Sequence, residues 1–156
     1  MRKISKFLRL RFSKQWLLLK AAMLLSTVRI SLLLFGYQSV RPLVERGCAL
    51  SPRLFDTAAT AEEMAWAVAQ VGSVVPGGRH CLSQALALRV FLARRGVQVD
   101  VSFGVRRGTD SLVIAHAWIE HDGRVLIGGT NLDSFVRLTS PHESRVSLGS
   151  ASNRVV

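Results

Sequence analysis

The sequence predicts an α+β domain in which helices come first and a small antiparallel sheet follows. Three observations predict it. Apolar residues recur at helical spacing as far as Gly96. From Val97 the period changes to two, with Val97, Val99, Val101, Phe103 and Val105 alternating with more polar residues. Further on, His121-Asp122-Gly123-Arg124 separates two short apolar runs, and Asp-Gly suits a two-residue hairpin turn whose central residues need positive φ. Helices followed by paired strands make an α+β arrangement with a helix packed on the sheet. A chain of 156 residues suits one domain with a real core. Its 49% apolar and 20% charged content excludes a disordered or low-complexity protein.

The elements follow in order. Residues 4–35 read as helical, bent around Ser26-Thr27, with Gly36 as the stop. Ser39 to Pro52 reads as a connector punctuated by Pro42, Gly47 and Pro52. Thr60-Ala61-Glu62-Glu63 is a capping box, in which the Thr hydroxyl accepts from an amide three residues on and Glu63 reaches back. The helix behind it carries Met64, Trp66, Ala67, Val68 and Val71 and should end near Gly72. Ser73 to His80 is then a loop. From Leu82 to Arg95 the spacing is helical again, with Leu82, Ala85, Leu86, Val90 and Phe91 facing the core and Arg89, Arg94 and Arg95 towards solvent. Gly96 takes the usual C-terminal glycine position. The strands expected are 97–105, 112–120 and 125–128, with a polar turn over 106–111. The tail beyond Leu138, rich in Ser and Arg, is expected to lose order at its end.

The net charge of +11 is concentrated at the start. Arg2, Lys3, Lys6, Arg9, Arg11, Lys14, Lys20, Arg29, Arg41 and Arg46 face one acid there, Glu45. A basic face attracts nucleic acid, anionic lipid or an acidic peptide. No nucleic-acid-binding signature accompanies it, so no nucleic-acid partner is expected. Leu17 to Leu25 follows the basic stretch as in a signal peptide, yet no small-residue cleavage site follows and Lys20 and Arg29 interrupt the apolar run. One span from Trp16 to Phe35 would bury both charges. Amphipathic or core-packing helices are therefore expected, with membrane-surface contact as the lesser alternative. Two cysteines, Cys48 and Cys81, make no disulfide framework and fit a reduced cytosolic chain.

Cys81 and His116 are the candidate reactive pair. Cys81 stands where the turn Pro76-Gly77-Gly78-Arg79-His80 enters a helix. There the partial positive charge of the helix amides favours the nucleophilic thiolate. The competing reading is a buried structural cysteine. His116 lies in the strand Ala115-His116-Ala117-Trp118-Ile119-Glu120 and shares one face with Trp118 and Glu120. Its competing reading is a core histidine bonded to the backbone. Trp118 is either a wall of a substrate groove or packing. Cys48 shows no ligand spacing, His142 is a tail residue, and His80, Cys81, His116 and His121 do not make a zinc pattern. No phosphate loop or dinucleotide fingerprint occurs, so neither metal nor cofactor is expected.

The ordered set Cys81-Leu82-Ser83-Gln84-Ala85-Leu86-Ala87-Leu88, Leu92-Ala93-Arg94-Arg95-Gly96-Val97, Phe103-Gly104-Val105, Ala115-His116-Ala117-Trp118-Ile119-Glu120 and Asp122-Gly123-Arg124-Val125-Leu126-Ile127-Gly128-Gly129 resembles the B2-type maturation protease of lasso-peptide biosynthesis, a branch of the transglutaminase-like superfamily. The likeness covers about residues 60–138, and the basic helical start is similar in character. It implies a transglutaminase-like, papain-like core and a cysteine peptidase that removes the leader from a ribosomally made precursor. Cys81 would be the nucleophile and His116 the base. The precursor leader, a separate leader-binding protein and a lasso cyclase are the partners it implies. On this reading residues 1–52 are a basic helical segment packed on or docking the core, 53–140 the catalytic core, and 141–156 a flexible tail. The alternatives are a non-catalytic adaptor and a membrane-associated basic protein with a decayed site.

Such enzymes carry a third residue, usually Asp, that fixes the imidazole tautomer. A two-residue turn at Asp122-Gly123 pairs His121 with Arg124 and puts His116 opposite Gly129. The acid would fall at or beside Gly128, where glycine cannot serve. Asn131 and, on the same face, Asp133 are the nearest side chains, reachable if a bulge forms at Gly128-Gly129. Otherwise a water or a backbone group does the work. Asp122 lies too far along the hairpin, and Glu120 is about 13 Å from His116 in a strand. The oxyanion would be received by the Cys81 amide and a neighbour. Gln84 is not assigned a role.

Overall fold

In a computed structural model of the protein, residues 12–49, 59–75, 80–108 and 112–138 are described. The expected helical start over 4–11, the end of the connector, the loop residues 76–79, the turn residues 109–111 and the tail 141–156 lie outside them. Among the described residues three α-helices precede four strands: α1 Phe12–Ala49, α2 Ala61–Gly72, α3 Cys81–Ala93, β1 Val101–Arg107, β2 Val113–His121, β3 Arg124–Ile127 and β4 Val136–Leu138. The sheet order is β3-β2-β1-β4, with β1–β2, β1–β4 and β2–β3 all antiparallel. The α+β expectation is met.

The first helix corrects the expected break. Thr27 donates its hydroxyl to the carbonyl of Met23 at 2.8 Å, one turn back, and the backbone stays helical through Ser26 and Thr27. The departure is at Gly36, with φ 71° and ψ 170°, a left-handed conformation that glycine adopts without a Cβ penalty. The helix resumes beyond it, and the connector expected from Ser39 is helical as far as Ala49. Tertiary packing overrides the punctuation. Val40 and Val44, one turn apart, are buried, and Arg41 pairs with Glu45 at 3.1 Å across the next turn. Gly47 lies against Val90 of α3.

Helix α2 begins as expected. Glu63 N donates to Thr60 Oγ1 at 3.2 Å and Thr60 N to Glu63 Oε2 at 3.1 Å, and the helix ends at Gly72. Helix α3 departs in one respect. Besides the expected face it also buries Ala87, Leu88 and Leu92. It is the central element, packed against α1, α2 and β2. Leu17, Ala21, Leu25 and Val28 of α1, Met64 and Val68 of α2, and Ala117, Ile119 and Ile127 of the sheet complete one core with it.

The first strand starts four residues later than expected. Val99 is buried and Val97 packs on the core, but ladder pairing begins only at Val101↔Ile119. The alternation over 97–100 therefore records burial without pairing. The hairpin forms as expected, with Asp122 at φ 50° and Gly123 at φ 73° and His121 paired with Arg124.

Candidate functional site

Cys81 is the first residue of α3, preceded by His80 in extended conformation at the N-cap. Among the described residues no side chain caps this end, and helix geometry gives the first amides no partner within the helix. The thiol is free, half-buried and packed on the core. Ser83, two positions on, is buried, and its hydroxyl has no hydrogen-bond partner among the described residues.

His116 is held in β2 opposite Gly104. Ala117 and Ile119 enter the core with α3, so by alternation His116 and Trp118 project from the other face of the sheet. There the imidazole stacks on Phe135 with centroids 5.0 Å apart and on Trp118 at 6.1 Å. Gly104 makes room beneath: a Cβ there would lie 2.9 Å from Trp118 Cζ3 and 3.0 Å from Phe135 Cβ.

The Nε2 atom of His116 lies 2.7 Å from the carbonyl oxygen of Gly128. A carbonyl only accepts, so Nε2 carries the proton and Nδ1 of the neutral ring keeps its lone pair. The backbone around that carbonyl is irregular at two places. A bulge falls between Ile119 and Glu120, shifting the pairing to Ile119↔Ile127. Gly128 then turns at φ 78°, and a Cβ there would lie 2.7 Å from the Ala117 carbonyl oxygen and 2.8 Å from Trp118 Cβ. The uniform hairpin count that set His116 opposite Gly129 did not allow for that bulge.

Asn131 adopts a left-handed φ of 55° before the short 3-10 helix Leu132–Ser134, where its carbonyl accepts from the Ser134 amide and hydroxyl. Asp133 lies in that turn, and both side chains face solvent. Among the described residues no hydrogen bond or ion pair joins either to His116, and no hydrogen bond joins His116 to Cys81. Glu120 receives a hydrogen bond from Trp118 Nε1 at 2.7 Å and pairs with Arg137 of β4. The Arg137 hydrogen bond holds its carboxyl below the usual carboxylate range against a smaller opposing effect of burial, and the indole donor adds to it. Arg137 also lies over the Trp118 ring, 5.3 Å from its centroid.

Two participants were not assigned from the sequence. The Gly128 carbonyl was foreseen only as an unnamed backbone group, although the Gly128-Gly129 pair after a strand signals irregular backbone. Phe135 follows a turn, and no local pattern says which strand it will cover.

A helix bearing a cysteine at its head, followed by a hairpin bearing a histidine, is the order of parts in a known family. The family model described as Transglutaminase-like superfamily matches residues 22–140. The chain belongs to the transglutaminase-like superfamily. No curated protein and no solved structure gives a significant match. The transglutaminase-like match begins inside α1 and runs to the end of β4, so it takes in both the helices and the sheet. This superfamily includes cysteine peptidases and transglutaminases.

Proposed function

We propose that this transglutaminase-like protein is a cytosolic cysteine peptidase that removes the leader peptide from a ribosomally made lasso-peptide precursor before macrocyclisation. The observation that carries the reading is the His116–Gly128 hydrogen bond, because it leaves the lone pair on Nδ1, which has no hydrogen-bond partner among the described residues. Cys81 Sγ attacks the scissile carbonyl as thiolate, and the first-turn amides of α3 receive the developing oxyanion. His116 Nδ1 takes the thiol proton and then gives it to the leaving amine. Water hydrolyses the thioester and regenerates the thiol. The Gly128 carbonyl dipole steadies the imidazolium in place of a carboxylate. Asn131 and Asp133 shape the turn that leads into Phe135. A separate leader-binding protein recruits the precursor, and a lasso cyclase takes the freed amine.

One observation favours a second reading, a non-catalytic adaptor that only presents the precursor. His116 projects from the sheet face opposite the one α3 covers, and its ring makes no hydrogen bond to Cys81 among the described residues. Incubation with precursor and leader-binding protein, followed by mass spectrometry, separates the two. Peptidase action requires leader release by the native chain and its loss in Cys81→Ala and His116→Ala. Release that persists in Cys81→Ala removes the proposed mechanism. No release by the native chain, with precursor binding intact, establishes the adaptor.

A further inference from the structure

The α1 helix is apolar on two sides. Its inner side, Leu17, Ala21, Leu25 and Val28, is buried in the core. Its outer side exposes Trp16, Leu19, Met23, Ile30 and Leu34. The spacings of three, four, seven and four residues keep these on one stripe along the helix axis. From Trp16 to Leu34 the stripe runs about 27 Å at 1.5 Å per residue. Met23 is 62% and Leu34 70% exposed, so the core does not explain them. A row of large apolar side chains on a surface marks an interaction site.

We infer that this stripe docks α1 flat in the interface of a membrane whose surface carries anionic phospholipid. Length and composition alone would let the helix cross a bilayer. The core excludes that while the domain is folded, since a span would strip Leu17, Ala21, Leu25 and Val28 from α2 and α3. Lying in the plane satisfies both sides at once: the inner side keeps its core and the outer side meets acyl chains.

Charge chooses the occupant. Ten Lys and Arg residues among the first 46 face one acid, Glu45. Lys20 stands beside the stripe at its start, with the basic residues Arg2 to Lys14 preceding it in sequence. An anionic headgroup layer complements that field while the tails take the apolar row. A second copy of this chain would set ten cations against ten. An acidic peptide or a nucleic acid would meet the charge and leave the apolar row in water.

The test uses the full chain and sedimentation with vesicles of phosphatidylcholine alone or mixed with phosphatidylglycerol. Binding to the mixed vesicles is expected to be at least about tenfold tighter. The double variant Met23→Glu/Ile30→Glu should lose about tenfold in that binding, with an unchanged circular-dichroism melt because both positions are exposed. Brominated lipid should quench fluorescence in the native chain, and Trp16→Phe should remove most of that quenching. Three results overturn the inference: no binding to anionic vesicles, equal binding by the double variant, or a lipid-free dimer that the double variant abolishes.

Discussion

His116 Nε2 and the carbonyl oxygen of Gly128 are joined at 2.7 Å across the β2–β3 hairpin. The bond settles which imidazole nitrogen is basic. Long-range proton–nitrogen correlation spectra of the neutral ring should show a protonated Nε2 and an unprotonated Nδ1 for His116. The reverse pattern would remove the assignment of Nδ1 as base.

The same carbonyl depends on a residue without a side chain. At φ 78°, with a virtual Cβ 2.7 Å from a backbone oxygen, Gly128→Ala must shift the strand end or Trp118. The expected cost is about 1–3 kcal/mol by urea denaturation. Leader release should fall with it, and the His116 tautomer signal should become mixed. Gly129→Ala next door, whose Cβ would meet only Val125 side-chain atoms, should cost less and leave the tautomer alone.

The parts of the fold that were legible in the sequence are those fixed by local chemistry. The Thr60 capping box, the Gly72 and Gly96 stops and the Asp122-Gly123 turn each depend on neighbours within four residues. What was not legible depends on distant contacts. Pro42 and Gly47 read as a connector because nothing local reveals that Val40 and Val44 are buried. The bulge at Ile119-Glu120 moves the hairpin register by one, because Ile119 pairs with Ile127 and not with Leu126. For the candidate site, the sequence points to the elements that carry Cys81 and His116. It does not reveal that the orienting group is a main-chain oxygen, because every residue has one.

The capping box offers a direct check on helix α2. Thr60→Ala removes the acceptor for the Glu63 amide and should cost about 1 kcal/mol. Thr60→Ser keeps the hydroxyl and should lie near the native value. Equal melting temperatures for the Ala variant and the native chain would show that tertiary packing alone sets the start of this helix.

Cys48 should be the slower of a native and an unfolded thiol. Burial raises its pKa, outweighing the opposing pull of Arg89 and Arg94. Iodoacetamide at pH 8 should modify it several-fold more slowly in the native chain than in urea, as mass spectrometry would read. The stability consequence has a definite sign. The unfolded thiol loses its proton near pH 8.5, roughly, before the native one does. Stability should therefore fall as pH rises from there through the native value. Cys48→Ala should flatten that limb, and an unchanged limb in this variant would assign it to other groups.

Glu120 carries the opposite sign. Arg137 and Trp118 hold its carboxyl below the usual range, so its contribution is complete above about pH 4.3 and is lost as pH falls through the lower native value. The pair ties β4 to β2 around the Trp118 ring, so loosening it should free the three-residue strand Val136–Leu138 first. Side chains that are 46% and 32% exposed are well screened, so Glu120→Gln should cost less than about 1 kcal/mol at pH 7. The difference between the variant and the native chain should shrink towards zero as the pH drops below the native carboxyl's range. Amide exchange at Val136 and Leu138 should quicken in the variant at pH 7. Uniformly faster exchange across all strands would instead mean that the pair supports the sheet as a whole.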